Sequence, residues 1–272
     1  FTEEYALNHL IHNYAKPYIA FMDGIVMGGG MGISQGAALR VVTERTKMAM
    51  PETAIGLFPD VGGGYFLSRC PGRVGEWLAL TGDTIGAGDA IDSQLADGCL
   101  PADQQAAVWD ALATQTFASG AAIKDYVASK FIAIESMLSG AKGQIDQYFA
   151  LPTVGEIVSA LESADSDWAH ATAATLRKRS PLMLNVVLEQ IRRARGMGLA
   201  DDLRMERDMV RHCFYLRPGQ SETVEGIRAL AVDKDHAPKW NPARIEDVTP
   251  EMVAPFFASP WPAHSHPLAA LV

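Results

Sequence analysis

Two acidic residues, Glu52 and Asp60, stand in a loop of mostly apolar residues between two glycine triplets, Gly28–Gly30 and Gly62–Gly64. Among Met50, Ala54, Ile55, Leu57 and Phe58 a carboxylate is partly desolvated, and its pKa rises toward the range of a general acid or base. Two such groups can divide the work, one attacking or taking a proton while the other orients the substrate or handles a second proton. Taken singly, each also fits a helix cap or a surface charge. Three glycines in a row mark places where a side chain would obstruct a close approach or an unusual dihedral angle. A helix beginning at Gly28–Gly30 offers unpaired N–H groups and a positive dipole end, able to hold an oxyanion. The stretch from Gly28 to Gly64 therefore reads as an acyl-transfer site, with tight helix–sheet packing as the other reading of the first triplet.

Competing chemistries have weaker signatures. The glycine runs miss the dinucleotide fingerprint, since the sixth motif position falls on Ile33, Gln35 or Leu67, and no Walker loop exists in the chain. Gly32-Ile33-Ser34-Gln35-Gly36 matches a nucleophile-elbow pattern in form only. Its serine lies inside the helix that follows the glycine turn, and a nucleophile elbow needs a sharp turn straight after a strand. The seven histidines, His9, His12, His170, His212, His236, His264 and His266, make no metal-ligand spacing with acids or cysteines, so no metal site is expected. Cys70, Cys99 and Cys213 are odd in number and widely spaced, which fits a reducing compartment, the cytoplasm by default, and small core residues.

The elements that must position the two carboxylates read as α/β. Leu7, Leu10, Ile11 and Tyr14 recur at helical spacing within Phe1–Ala15, with Thr2 and its following acids as a capping arrangement. Tyr18–Met22 and Ile25–Met27 read as strands about the Asp23-Gly24 turn, a helix follows Gly28, and Val41-Val42 and Lys47–Met50 read as further strands. That strand, strand, helix rhythm implies a layered α/β core. Pro51–Pro59 reads as loop, and Asp60 as the cap of a short helix at the second triplet. Glu76–Leu80 and Ala87–Leu95 read as helices, and Asp97-Gly98 as a turn before Cys99-Leu100. The division expected is residues 1–101 for the α/β core and 102–272 for a mostly helical region. In the latter, Ser180-Pro181 opens a helix that Gly196 and Gly198 stop, Leu203–Leu216 forms the next, and Thr223–Ala231 a shorter one. From His236 to Val272 the prolines imply an irregular tail compatible with disorder.

At 272 residues the chain can bury a full core. A net charge of -9 disfavours nucleic acid as the principal partner, and the cluster Arg192, Arg193, Arg195 reads as a solvated helix face. No apolar run is long enough for a membrane helix, so no membrane partner is expected. The chain opens on Phe1 inside an amphipathic pattern, and a segment ahead of it, in the same protein or in another chain, is expected.

Lys16-Pro17-Tyr18, Gly24-Ile-Val-Met-Gly28-Gly-Gly-Met-Gly32 and Met50-Pro-Glu52-Thr-Ala-Ile-Gly-Leu-Phe-Pro-Asp60-Val-Gly-Gly-Gly-Tyr-Phe66 resemble the crotonase (enoyl-CoA hydratase/isomerase) superfamily. Within it they are most similar to the 3-hydroxyisobutyryl-CoA hydrolase branch. Glu225-Gly226-Ile-Arg228-Ala and Asp233-Lys234-Asp235, followed by Pro238-Lys-Trp240, match the same branch. The resemblance is vaguest over Ala102–Ala174.

The resemblance implies a crotonase-type spiral of β-β-α units, assembly into homo-oligomers such as trimers or hexamers, and an acyl-CoA substrate with no cofactor beyond its coenzyme A. Gly29 matches the glycine whose N–H forms half of the family's oxyanion hole, and the other donor belongs to the expected upstream segment. Glu52 matches the principal catalytic carboxylate, and Glu4 a substrate-contacting glutamate of the hydrolases. Hydratases carry a second glutamate where this chain has Gly32, and Asp60 occupies the position that the hydrolase branch uses instead. The implied activity is hydrolysis of a short branched 3-hydroxyacyl-CoA in valine breakdown. An enoyl-CoA hydratase or isomerase and a catalytically silent acyl-CoA-binding subunit are the alternatives.

Overall fold

The chain passes back and forth between two small parallel sheets. The computed structural model describes residues 1–272. After helix α1 (Thr2–His12), strand β1 (Ile19–Met22) enters one sheet and β2 (Ile25–Met27) the other, the change of direction being made at Gly24 with φ +88°. Helix α2 (Gly29–Gln35) crosses back, after which β3 (Leu39–Val42) pairs with β1 and β4 (Lys47–Ala49) with β2, both in parallel. The register sets Ile19 beside Leu39 in the first sheet and Ile25 beside Lys47 in the second. Helices α3 (Gly63–Leu67), α4 (Val74–Thr81) and α5 (Ala87–Asp92) lead to β5 (Gly98–Cys99), which adds to β3. Parallel neighbours need such crossovers, so the strand, strand, helix rhythm of the sequence becomes one spiral that winds through both sheets.

The rest of the chain is mostly helical: α6 (Gln105–Thr114), α7 (Gly120–Ala128), α8 (Lys142–Phe149), α9 (Val154–Glu162), α10 (Asp167–Leu176), α11 (Pro181–Ala194), α12 (Leu199–Tyr215), α13 (Glu222–Ile227) and α14 (Pro250–Val253). One core of 50 buried residues runs from Tyr5 to Leu268, and a small second one joins Leu39, Val41 and Leu100 to α6 and α7 through Val108 and Val127. Every residue of α4 is buried, Glu76 included, and that carboxylate is neutralised by Arg73 at 2.9 Å and Arg195 at 2.7 Å. No helix is long and apolar enough to cross a membrane. Cys70, Cys99 and Cys213 are buried and unpaired.

Four expectations need correction. Helix α1 ends at His12, short of Tyr14, and buries Tyr5 and Asn8, while Leu7 and Leu10 of its apolar stripe are exposed and Ile11 is half-buried; the polar pair is drawn inward by partners described below. The tail after His236 is irregular but packed: Ile245, Phe256 and Leu268 enter the main core, and His266 meets Asp208 of α12 at 3.1 Å. The arginine cluster is a solvated face only in part: Arg193 and Arg195 are exposed, and Arg192 is half-buried. Arg192 donates to the carbonyls of Leu151 and Pro152, Arg193 pairs with Glu189 at 2.7 Å, and Arg195 reaches Glu76. Within the loop expected over Pro51–Pro59, Glu52–Ile55 forms a 3-10 turn.

Candidate active site

The 3-10 turn that carries Glu52 is fixed from behind. Its end is closed by Gly56 at φ +65°, whose carbonyl accepts a 2.6 Å hydrogen bond from Thr223 of α13. A β-carbon at Gly226 of the same helix would lie 2.2 Å from the Ile55 carbonyl oxygen, so the two backbones touch. On the other side Thr53 donates to the Leu80 carbonyl of α4. The Glu52 carboxyl is thereby held at 7 % exposure, with Oε2 lacking any hydrogen-bond partner and Oε1 facing Gly28. Gly28 has φ +52° and ψ −121°, a conformation closed to residues with a β-carbon, and it starts α2. Gly29 is then the first helical residue, whose N–H has no intrahelical acceptor.

Asp60 lies on the following turn, equally buried. Tyr5 of α1 donates its hydroxyl to Asp60 Oδ2 at 2.9 Å, and Asn8, one turn on, donates to the Val61 carbonyl at 3.3 Å. These two contacts are why α1 turns its polar residues inward. Asp60 does not cap α3, contrary to expectation: the N-cap residue is Gly62, and only the Asp60 backbone carbonyl serves the helix, accepting from Gly63 N–H at 2.8 Å. The turn is strained, because Val61 is β-branched and has φ +57°. Glu4 is exposed, with Oε1 3.2 Å from where a β-carbon on Gly29 would stand, at the mouth of the same site.

The four residues singled out in the sequence thus converge, and the electrostatics separates the two buried acids. Burial pushes Glu52 up to about 8, the charge of Asp60 adding to the rise while its own amide N–H opposes it. Burial also lifts Asp60, to about 6, with the Tyr5 hydroxyl pulling it down and the Glu4 charge pushing it up. At neutral pH the free site holds a proton on Glu52 and a charge on Asp60. Burial, then the charges of Asp60 and Glu206, raise Tyr5 well above the ordinary tyrosine range, so it stays a donor.

Gly32 is closed to a second acid. A β-carbon there would stand 2.7 Å from Val61 Cβ and 3.1 Å from Asn8 Nδ2. No three His, Cys, Asp or Glu side chains are grouped to hold a metal ion.

Sequence reasoning missed Tyr5, Asn8, Gln190, Asp202 and Glu206, all buried around the Asp60 turn. A signal existed for the last two. Asp202 and Glu206 fall at helical spacing with Met209 and Cys213, placing two acids on the apolar stripe of α12.

Residues 1–257 match the family described as enoyl-CoA hydratase/isomerase. A relative named probable 3-hydroxyisobutyryl-CoA hydrolase 2, from Arabidopsis thaliana, is 40% identical over 94% of this chain and 70% of its own length. A mitochondrial 3-hydroxyisobutyryl-CoA hydrolase of Xenopus tropicalis is 36% identical over 95% of this chain and 68% of its own. Among solved structures, one described as a carnitinyl-CoA dehydratase from Mycobacterium thermoresistibile superimposes with a TM-score of 0.83 at 39% identity, covering 94% of this chain and 72% of that one. Another, described as an enoyl-CoA hydratase from Rhodobacter sphaeroides, gives 0.84 at 36% identity, over 95% and 73%.

Proposed function

We propose that this chain, which belongs to the enoyl-CoA hydratase/isomerase family, hydrolyses a short branched 3-hydroxyacyl-CoA thioester. The substrate proposed is 3-hydroxyisobutyryl-CoA, giving 3-hydroxyisobutyrate and free coenzyme A, the substrate in the names of relatives 36% to 40% identical to it. Valine breakdown is the corresponding route. The observation that carries the reading is the pair of buried acids with separated pKa values, Glu52 and Asp60, in a site whose third acid position, Gly32, is filled by Val61 and Asn8.

In this reading the Gly29 N–H donates to the thioester oxygen as charge gathers on it. Glu52, once ionised, has two routes. It attacks the thioester carbon to give an anhydride, expelling the coenzyme A thiolate, and water then cleaves the anhydride. Otherwise it takes a proton from water as that water attacks. Asp60, held by Tyr5, orients the substrate hydroxyl or takes the proton that Glu52 gives up on ionising and passes it to the departing thiolate, and Glu4 contacts the acyl portion. Replacing Glu52 with Gln tests the assignment: thiol release is expected to fall at least about a hundredfold, the scale of a positioned acid–base group. Release at the wild-type rate by Glu52→Gln would remove Glu52 from the chemistry.

Similarity to the structures described as a carnitinyl-CoA dehydratase and an enoyl-CoA hydratase favours hydration of an enoyl-CoA, or its reverse, as the second reading, with one acid at work instead of two. In the hydrolase reading no cofactor takes part other than the substrate's coenzyme A, and the protein assembles as a homo-oligomer. Its compartment is a reducing one, in keeping with the free thiols: the cytoplasm by default, or the mitochondrion of the vertebrate relatives' names.

A further inference from the structure

We propose that Glu206, together with Gln190, is a positioning residue that brackets the Asp60 turn and fixes the Asp60 carboxylate in the site, an inference that rests on the hydrolase role of Asp60. Glu206 of α12 is fully buried, and both of its oxygens are occupied by the turn: Oε2 accepts from Gly62 N–H at 2.8 Å and Oε1 from Gly64 N–H at 2.9 Å. Gln190 of α11, also fully buried, donates Nε2 to the Pro59 carbonyl at 2.7 Å and lies 3.3 Å from Glu206 Oε1. The backbone is therefore gripped at the residue before Asp60 and at the second and fourth residues after it. One turn before Glu206 on α12, Asp202 Oδ2 takes the Tyr65 N–H at 2.9 Å, so the first turn of α3 is capped from about 140 residues away in sequence.

A grip of this kind is needed because the only local hold on the turn is the Gly63 N–H bond to the Asp60 carbonyl. Val61 and Gly62 follow one another at positive φ, +57° and +88°, and α3 spans five residues with no side-chain cap of its own. A strained conformation persists only when its surroundings over-determine it. The geometry also explains why an acid, and not an amide, stands at position 206 on the apolar stripe of α12: a carboxylate presents acceptors on both oxygens to the Gly62 and Gly64 N–H groups, and an amide presents one. Burial and the neighbouring Asp202 raise the Glu206 pKa, and the Gly62 and Gly64 amides oppose the rise.

The test is a double-mutant cycle on thioester hydrolysis with Glu206→Gln, Asp60→Asn and their combination, each checked for cooperative unfolding. Glu206→Gln is expected to lower kcat by about tenfold or more with KM within about twofold, since a small misplacement of a catalytic group costs rate before it costs binding. In the Asp60→Asn background the same change is expected to cost almost nothing further, because Glu206 acts through Asp60. A wild-type kcat for Glu206→Gln, or an equal fold-loss in both backgrounds, overturns the bracket alone. A wild-type kcat for Asp60→Asn overturns the role of Asp60 and the bracket with it. Should Glu206→Gln fail to fold, Gln190→Met, which releases the Pro59 carbonyl, carries the same cycle with the same outcomes.

Discussion

Glu52 and Asp60 differ in what holds them, and that difference sets the protonation of the site. Glu52 faces glycine backbone with one oxygen unpartnered, whereas Asp60 receives a tyrosine hydroxyl, so desolvation lifts Glu52 to about 8 and Asp60 only to about 6. A group that must lose a proton before it attacks or accepts one is active above its pKa. The kcat/KM for thioester hydrolysis is therefore expected to rise with pH along a limb centred near 8. The charge of Asp60 contributes to the raised value, and removing a like charge lowers the pKa of its neighbour. Asp60→Asn is accordingly expected to move the limb to lower pH while reducing the rate. A limb that stays in place or moves up in that variant would show that the two acids do not sense each other. At this scale the sequence was legible where residue type and apolar surroundings coincided, as at Glu52, and misleading at Asp60, where an acid before glycines looks like a cap. Its carboxylate is claimed instead by Tyr5, 55 residues away, a contact that no local pattern encodes.

Among the elements, the site is assembled on the spiral but held by helices from the other end of the chain. Helix α13 backs the Glu52 turn through Thr223 and Gly226, which gives the Glu225-Gly226 motif a structural meaning: any side chain at Gly226 would collide with Ile55. Helices α11 and α12 bracket the Asp60 turn, and α1 seals it through Tyr5 and Asn8. The packing of α1 and the Val61 turn against α2 also decides what Gly32 can be. Gly32→Glu is expected to destabilise the fold by about 1–3 kcal/mol through overpacking against Val61, read as a lower denaturation midpoint, and to confer no hydration of crotonyl-CoA. A stable variant that hydrates crotonyl-CoA would mean the position is open. Element type was readable wherever periodicity or a cap was strong, as at Ser180-Pro181, whose serine accepts from Met183 N–H. The capping box at Thr153 to Glu156, which starts α9, went unread in the sequence. Facing was less readable: the apolar stripe of α1 points outward because its polar residues have buried partners that lie far along the chain.

Taken whole, the molecule has one principal core that both the spiral and the helical region share, so the site depends on chain segments from Tyr5 to Leu268. The repeating strand, strand, helix order was visible as sequence rhythm because each unit is local. The packing of the tail was not, since its anchors Ile245, Phe256 and Leu268 are single apolar residues separated by prolines, with no period to mark them. The names of the relatives 36% to 40% identical to the chain point to thioester hydrolysis, and that reaction can be read directly. The purified protein is to be incubated separately with 3-hydroxyisobutyryl-CoA and with crotonyl-CoA while free thiol and loss of the enoyl chromophore are followed. Thiol release from the first, with neither thiol release nor hydration from the second, is the expected result; hydration of crotonyl-CoA without thiol release from 3-hydroxyisobutyryl-CoA would contradict the hydrolase reading.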